Sequence, residues 1–392
     1  MQSGRRILLL IGLAVMLTAC EGPPEEVDTV SGASAPPATE LREGRLEFES
    51  AGMQLFLEEL AATGNVIWAL DFIDDQTMIF TERRGQARLL NLTSGEITDL
   101  DGEPEVMVTD SGGLFDVLVD PDFAANGYVY FTFVKGLGEQ SAVALVRSRF
   151  AASELVDTIE LFVANNPHSD HAHWGSRVVM DADRYLFMTS GDRHVPDNAQ
   201  DLSSHGGKVL RLHADGAVPA DNPFAETADA APEIWSLGHR NPQGLVIQPD
   251  TGALFAQEHG PTGGDEINSI RKGRNYGWPL ATHGTNIWGG QQPRGTALPG
   301  FQAPAKFWVP GTAPTGLAFY TGDRMPGWHG NLFSATLRGP LIRNVVEGSE
   351  IRDESRYLTD WMERARDIAQ GPDGLLYFAT ESGKIFRIGP VE

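Results

Sequence analysis

The sequence has one cysteine in 392 residues, Cys20. A disulfide within the chain is therefore excluded, even in an oxidising compartment, and stability has to come from the core. Positive charge is also scarce. Thirty Lys and Arg stand against 53 Asp and Glu, a net charge of −23. Nucleic-acid binding needs a basic face that neutralises phosphates, so this balance argues against it. It also makes any cluster of cations inside the chain worth explaining. Long amphipathic helical patterns are scarce beyond residue 65.

What is there begins with an export signal. Arg5 and Arg6 precede the apolar run Ile7–Leu17, which is too short to cross a bilayer as a helix. Leu17-Thr18-Ala19-Cys20 resembles a bacterial lipobox, making residues 1–19 the signal peptide and Cys20 the lipidated first residue of the mature chain. The alternative is an ordinary signal peptide with a chance cysteine. Residues 20–45 are rich in Pro, Ala, Ser and Glu and read as a flexible tether. The expected location is the periplasmic face of a bacterial membrane, held through the lipid alone. Residues 46–392 remain for the folded part, long enough for one large domain or two small ones.

Short β-branched runs bounded by Gly, Asp and Pro dominate that part, which predicts an all-β fold. A weak repeat runs through it. A strand leads to an Asp-containing turn, then to an aromatic-rich strand. Copies fall at 66–82, 113–123 with the strand that follows, 176–190, 244–258, 316–323 with its continuation, and 367–381. Six copies of a few short strands each predict a six-bladed β-propeller, with two β-sandwiches as the rival.

The phase of the repeat predicts a site. Eight or nine residues before the turn aspartates Asp181, Asp250, Asp373, Asp120 and Asp323 lie His173, Asn241 beside Arg240, Arg364 beside Arg366, Ser111 and Pro314. Equivalent positions of a propeller lie on a ring, so these side chains should converge at one mouth. The alternative is that each merely starts a strand. Arg338, in A-T-L-R-G, follows another repeat's aromatic strand and can join them. Converging guanidiniums call for an anion, which they pair in a planar, two-pronged fashion. The stretch Leu237–Pro279 is dense in Gly, Pro, amides, imidazoles and carboxylates. Its Gly260-Pro261 turn can aim carbonyls at a hard cation such as Ca²⁺, with Asp265 and Glu266 nearby. A polyanion bridged to Ca²⁺ and faced by a histidine suggests a quinone cofactor bearing several carboxylates.

The motifs G-G-L-F-D-V-L-V-D-P-D-F, H-W-G-S-R, G-H-R-N-P-Q-G, E-H-G-P-T-G-G-D-E-I-N, N-Y-G-W-P, A-P-T-G-L-A-F-Y and R-A-R-D-I occur in this order over roughly residues 50–390. In them the chain resembles the soluble, pyrroloquinoline quinone (PQQ)-dependent glucose and aldose sugar dehydrogenases. The resemblance implies oxidation of aldoses to lactones, with electrons passed to an external acceptor, a quinone or a redox protein. It implies His173 as the base that takes the anomeric proton, and Arg240, Asn241, Arg338, Arg364 and Arg366 as cofactor contacts. It implies Ca²⁺ on the carbonyls of Gly260 and Pro261, and a second Ca²⁺ involving Glu266 and Tyr276.

There are departures. Ser111 stands where a glutamine is usual, so that cofactor contact is expected to run through water. Ala172 replaces the aspartate that precedes the base in glucose dehydrogenases proper, which removes one partner expected to orient the imidazole. Gly311 stands where a small hydroxyl residue is usual, and Trp308 is expected to stack near the site. Other readings stay open: a transition-metal site at His168, His171 and His173, a Ca²⁺-dependent lactonase or hydrolase without quinone, and a non-catalytic binding propeller. His259 is expected to be a turn residue with a satisfied ring, and His239 a support for Arg240.

Overall fold

The computed structural model describes residues 45–285, 290–339, 341–359, 361 and 363–391. The expected signal peptide and Cys20 lie outside these, as does the tether up to its last residue. Among the described residues no helix is long and apolar enough to cross a membrane.

Six antiparallel sheets make up the fold. Their innermost strands are Ile67–Phe72, Leu114–Val119, Gly175–Met180, Pro242–Ile247, Pro314–Phe319 and Ala365–Gln370. Each lies against the innermost strand of the next sheet, and the sixth lies against the first, so the ring closes. This is a six-bladed β-propeller. Every repeat copy seen in the sequence is the inner pair of strands of one blade. The outer strands carry weaker patterns because they are half exposed. The sixth blade joins both ends of the chain: Met53–Ala62 pairs with Lys384–Pro390, and Arg45–Ser50 pairs outside it. The hydrophobic clusters span neighbouring blades, as with Phe187, Leu245 and Tyr276 between the third and fourth. Apolar faces of adjacent sheets are thus the core.

The innermost strands share one irregularity. All six have a register shift in their first residues, for example between Gly175 and Val178 and between Ala365 and Asp367. A bulge re-aims side chains and leaves backbone groups unpaired. Threonines on the second strands take up those groups and link the blades. Thr81 accepts from the Ala69 amide and donates to the Phe115 carbonyl of the next blade. Thr132 does the same between Asp116 and Ser176, and Thr189 between Arg177 and Pro242. Deeper on the axis, Arg177 bonds both Asp116 and Asp367 at 2.9 Å. This buried cluster joins the second, third and sixth blades beneath the bulges.

The turn aspartates behave as expected. Asp120, Asp181 and Asp373 accept backbone amides within their own turns. Asp120 also pairs with Arg184 of the next blade at 2.6 Å.

Candidate active site

All of the ring positions read from the sequence sit at or just before the starts of innermost strands, at the bulged end. Antiparallel pairing brings a second set of residues to the same end. Glu82, Glu258 and Thr380 face Ile67, Pro242 and Ala365 across the ladder, and Ser190 faces Gly175. The mouth therefore carries an inner set of bases and a second set of acids: Glu82, Asp192, Glu258 and Glu381.

His173 is the centre. Its Nδ1 donates to Asp192 Oδ1 at 2.6 Å. Asp192 is fully buried and also accepts from the Trp278 indole at 2.7 Å and from the His194 amide. The carboxylate fixes the tautomer, so Nε2 is left as the bare, basic nitrogen. Burial, assisted by the charge of Arg240, pulls the imidazole below its ordinary value against the opposing pull of Asp192. The imidazole is thus neutral near pH 7. The absence of a carboxylate at Ala172 does not leave His173 unoriented, because Asp192 does that work. His173 holds a left-handed backbone, φ 51°, a strain typical of functional positions.

A set of contacts, joined in places through neighbouring residues of the chain, runs from His173 through the third to sixth blades and back. Asn241 accepts from the Gly175 amide and from Gln243. Gln243 accepts from Arg366 at 2.8 Å, and Arg366 pairs with Glu381, which also takes Arg364 at 2.5 Å. Arg364 reaches the Leu337 carbonyl, and the neighbouring Arg338 reaches the Gly311 carbonyl. Asp265 accepts from the Ala313 and Gly260 amides, Gly260 accepts from Arg240 at 2.9 Å, and the Arg240 carbonyl accepts from the Asp192 amide. That returns to His173. The predicted residues of four blades are one constellation. The Nε of Arg366 is buried and has no hydrogen-bond partner among the described residues. Burial pulls Arg240 and Arg366 below the ordinary guanidinium value, the expected cost of holding cations without full compensation.

Some expectations shift. Trp308 is not at the mouth: its ring packs with Phe255, Leu317 and Phe319 between blades, and its indole donates to Glu354. The aromatic was read as a stacking partner because it is near in sequence, but its strand is the outermost of its blade. Ser111 donates to the His171 carbonyl and accepts from the Trp174 indole, so its hydroxyl braces the loop that carries His173. Gly311 has a steric reason: a Cβ there would meet Asp265 Oδ2 at 2.7 Å. Among the described residues no group of three or more His, Cys, Asp and Glu is arranged to hold a metal, which removes the geometry expected of a histidine metal site at 168–173.

Beside Arg240 lies a second polar locus. Glu258 bonds His239 at 2.8 Å and the Arg240 amide at 2.6 Å. Glu266 is half-buried near it, and desolvation together with the Glu258 charge raises its carboxyl well above the usual range. Asn268 donates to both glutamates, while its own Oδ1 is buried without a partner among the described residues. The Tyr276 hydroxyl donates to Ser269 at 2.5 Å and accepts from the Arg271 amide, so only its carbonyl is left as a ligand. Ser236, His239 and Glu258 mimic a nucleophilic triad, but Ser236 and His239 are wholly inaccessible, and the trio serves as support for Arg240. His259 Nε2 donates to the Pro314 carbonyl, and burial pushes its pKa down to about 3. It is neutral, as a satisfied turn residue should be.

Sequence reasoning missed Asp192, Glu258, Glu381 and His194. A signal was available for three of them: in four of the six blades an acid ends the second strand or follows it within two residues, as in T-E, Q-E and S-G-D, and counting forward from the turn finds these as counting back finds the ring positions.

Comparison with known proteins places the chain in a family. Residues 65–387 match the family model described as Glucose / Sorbosone dehydrogenase. The chain is 38% identical over 333 residues to the aldose sugar dehydrogenase YliI of Escherichia coli K12, covering 82% of this chain and 90% of that one. The crystal structure of the soluble aldose sugar dehydrogenase from Escherichia coli in the apo form superposes with a TM-score of 0.82 at 36% identity, covering 86% of this chain and 100% of that one. The PQQ-bound form of an aldose sugar dehydrogenase from Streptomyces coelicolor superposes with a TM-score of 0.72 at 26% identity, covering 85% and 96%. The chain belongs to the glucose/sorbosone dehydrogenase family.

Proposed function

We propose that this protein oxidises aldose sugars to lactones with PQQ and Ca²⁺ as cofactors and passes the electrons to a separate acceptor, a quinone or a redox protein. The observation that carries the reading is the closed set of contacts joining His173 to Arg240, Arg364 and Arg366 from three blades. Guanidiniums in one mouth of an acidic protein, one with an unpartnered buried N–H, fit a flat polycarboxylate. Arg240, Asn241, Arg338, Arg364 and Arg366 would hold it. The carbonyls of Gly260 and Pro261 would face the calcium that accompanies it, the Gly260 oxygen through the lone pair that Arg240 leaves. Glu266 and the Tyr276 carbonyl would hold a second calcium, where the neighbouring glutamates and the Asn268 oxygen, unpartnered among the described residues, call for a cation.

PQQ would supply the hydride acceptor and Ca²⁺ the Lewis acid beside it. The protein's own part is the proton. His173 Nε2 takes it from the anomeric hydroxyl as the C–H bond breaks, and Asp192 stabilises the imidazolium that forms. Trp278 and the His194 amide keep Asp192 from rotating away. Arg240 beside the ring disfavours an early proton, so the base is free when substrate arrives. The lipid on Cys20 would hold this reaction at the periplasmic face of the membrane.

The test is reconstitution of the purified protein with PQQ and Ca²⁺, followed by dye reduction with a panel of aldoses. Aldose-dependent reduction that needs both additions is the expected result. Lactone hydrolysis without PQQ would overturn it.

A further inference from the structure

One histidine at the mouth has no role in the reaction as derived. His194 follows Asp192 and Arg193, and its ring centroid lies 3.9 Å from that of His173, at 72° to it. Its Nδ1 bonds Asp170 Oδ2 at 2.8 Å, and half of its side chain is exposed. Burial raises the Asp170 carboxyl, but the hydrogen bond from His194 outweighs it and holds the group below its usual value, so Asp170 accepts and His194 Nδ1 donates. In the neutral ring that leaves Nε2 as a bare acceptor, with no partner among the described residues. The mouth holds two imidazoles side by side, each backed through Nδ1 by its own aspartate: Asp192–His173 and Asp170–His194.

The second pair is built, not incidental. Arg193 is buried and stacks on Trp174 at 3.5 Å. Its guanidinium donates to the carbonyls of Ser141 and Ala172 and to that of Asp170. It therefore clamps the segment that carries Asp170 to the loop that carries His194. Arg193 and His194 both hold left-handed backbone, φ 58° and 57°, as His173 does. Arginine is uncommon in this region, though histidine enters it more often, and strain of the kind Arg193 carries persists only where surrounding contacts fix it. Oδ1 of Asp192 receives both the His173 ring and the His194 amide, so the two imidazoles share one anchor.

Resting on the reading of His173 as the base, we infer that His194 is a specificity-determining residue that accepts a hydrogen bond from the sugar hydroxyl next to the one His173 deprotonates. Two neighbouring lone pairs of the same tautomer match two hydroxyls on adjacent carbons. The preferred substrates are then aldoses with a free 2-hydroxyl. The residue before the base, Ala172, offers no side-chain polar group for that hydroxyl.

The experiment compares glucose with 2-deoxyglucose on the PQQ- and Ca²⁺-reconstituted wild type and on His194→Ala, with Asp170→Asn as the second variant. Melting temperature and PQQ affinity, followed by quinone absorbance, serve as readouts independent of turnover. In His194→Ala, KM for glucose should rise about tenfold, the value of one hydrogen bond, while KM for 2-deoxyglucose stays within about twofold. PQQ affinity and melting temperature should not change. Asp170→Asn, which loosens the tautomer, should move KM for glucose in the same direction and by less. An equal loss with both sugars, or no loss with either, overturns the inference alone. A wild type that binds PQQ and reduces no dye with any aldose overturns the reading beneath it, and the inference with it.

Discussion

The pivotal residue is His173, and its chemistry depends on one partner that sequence counting did not supply. Asp192 fixes the ring through Nδ1, and burial lowers the imidazole's affinity for a proton. Its folded value lies below the ordinary one, so the neutral base persists as pH falls. The acidic limb of kcat/KM should therefore have its midpoint below the usual histidine value of about 6.5. His173→Ala should reduce kcat by about 10²–10⁴-fold with melting temperature nearly unchanged. Asp192→Asn should lose on the order of a hundredfold, because the amide no longer selects the tautomer. A pH–rate series on wild type and both variants checks all three; an acidic midpoint at or above 7 would remove His173 as the base. His173 was legible because it stands at a fixed distance from a turn aspartate. Trp308 was misjudged because distance along the chain is a poor guide to distance from the axis, and its strand is outermost. His194 was not legible at all, since no other copy of the repeat carries a histidine two residues beyond its acid.

At the scale of the strand, the device that builds the mouth is the bulge. Each innermost strand breaks register in its first residues, turning a propeller's regular inner ladder into a ring of outward-aimed polar groups. The unpaired backbone groups that result are met by buried threonines on the second strands. Thr132 accepts from the Asp116 amide at 3.0 Å and donates to the Ser176 carbonyl at 2.6 Å, with no exposure to water. Thr132→Val keeps the shape and leaves both groups unsatisfied. It should destabilise the fold by about 2–4 kcal/mol, from one or two orphaned buried groups. Denaturant unfolding measures this, and a change under about 0.5 kcal/mol would show that water replaces the hydroxyl. The strands themselves were readable from alternation and turn residues. The bulges were not, because a one-residue register shift leaves no mark in an apolar pattern. The N-terminal strands Arg45–Ser50 and Met53–Ala62 were likewise unread, since only closure against Lys384–Pro390 makes them part of a blade.

For the whole molecule, the ring is what converts scattered residues into a site. Arg240, Arg338, Arg364 and Arg366 span more than a hundred positions in the chain, yet backbone and side-chain contacts link them around one opening. The protein is acidic overall, so this opening differs in kind from the rest of its surface. The repeat count foretold the six blades, and its phase foretold which residues share one end of them. The acids Glu82, Asp192, Glu258 and Glu381 leave a mark in the sequence at the ends of their strands, but that they face the mouth came with the antiparallel register. The most direct measurement is a PQQ titration of the calcium-loaded protein by quinone absorbance, for wild type and Arg366→Met. One equivalent should bind to wild type, and the variant should bind about 10–100-fold more weakly, the value of a charged hydrogen bond. Equal affinity in the two proteins, or no binding to either, would contradict a polyanion site at this mouth.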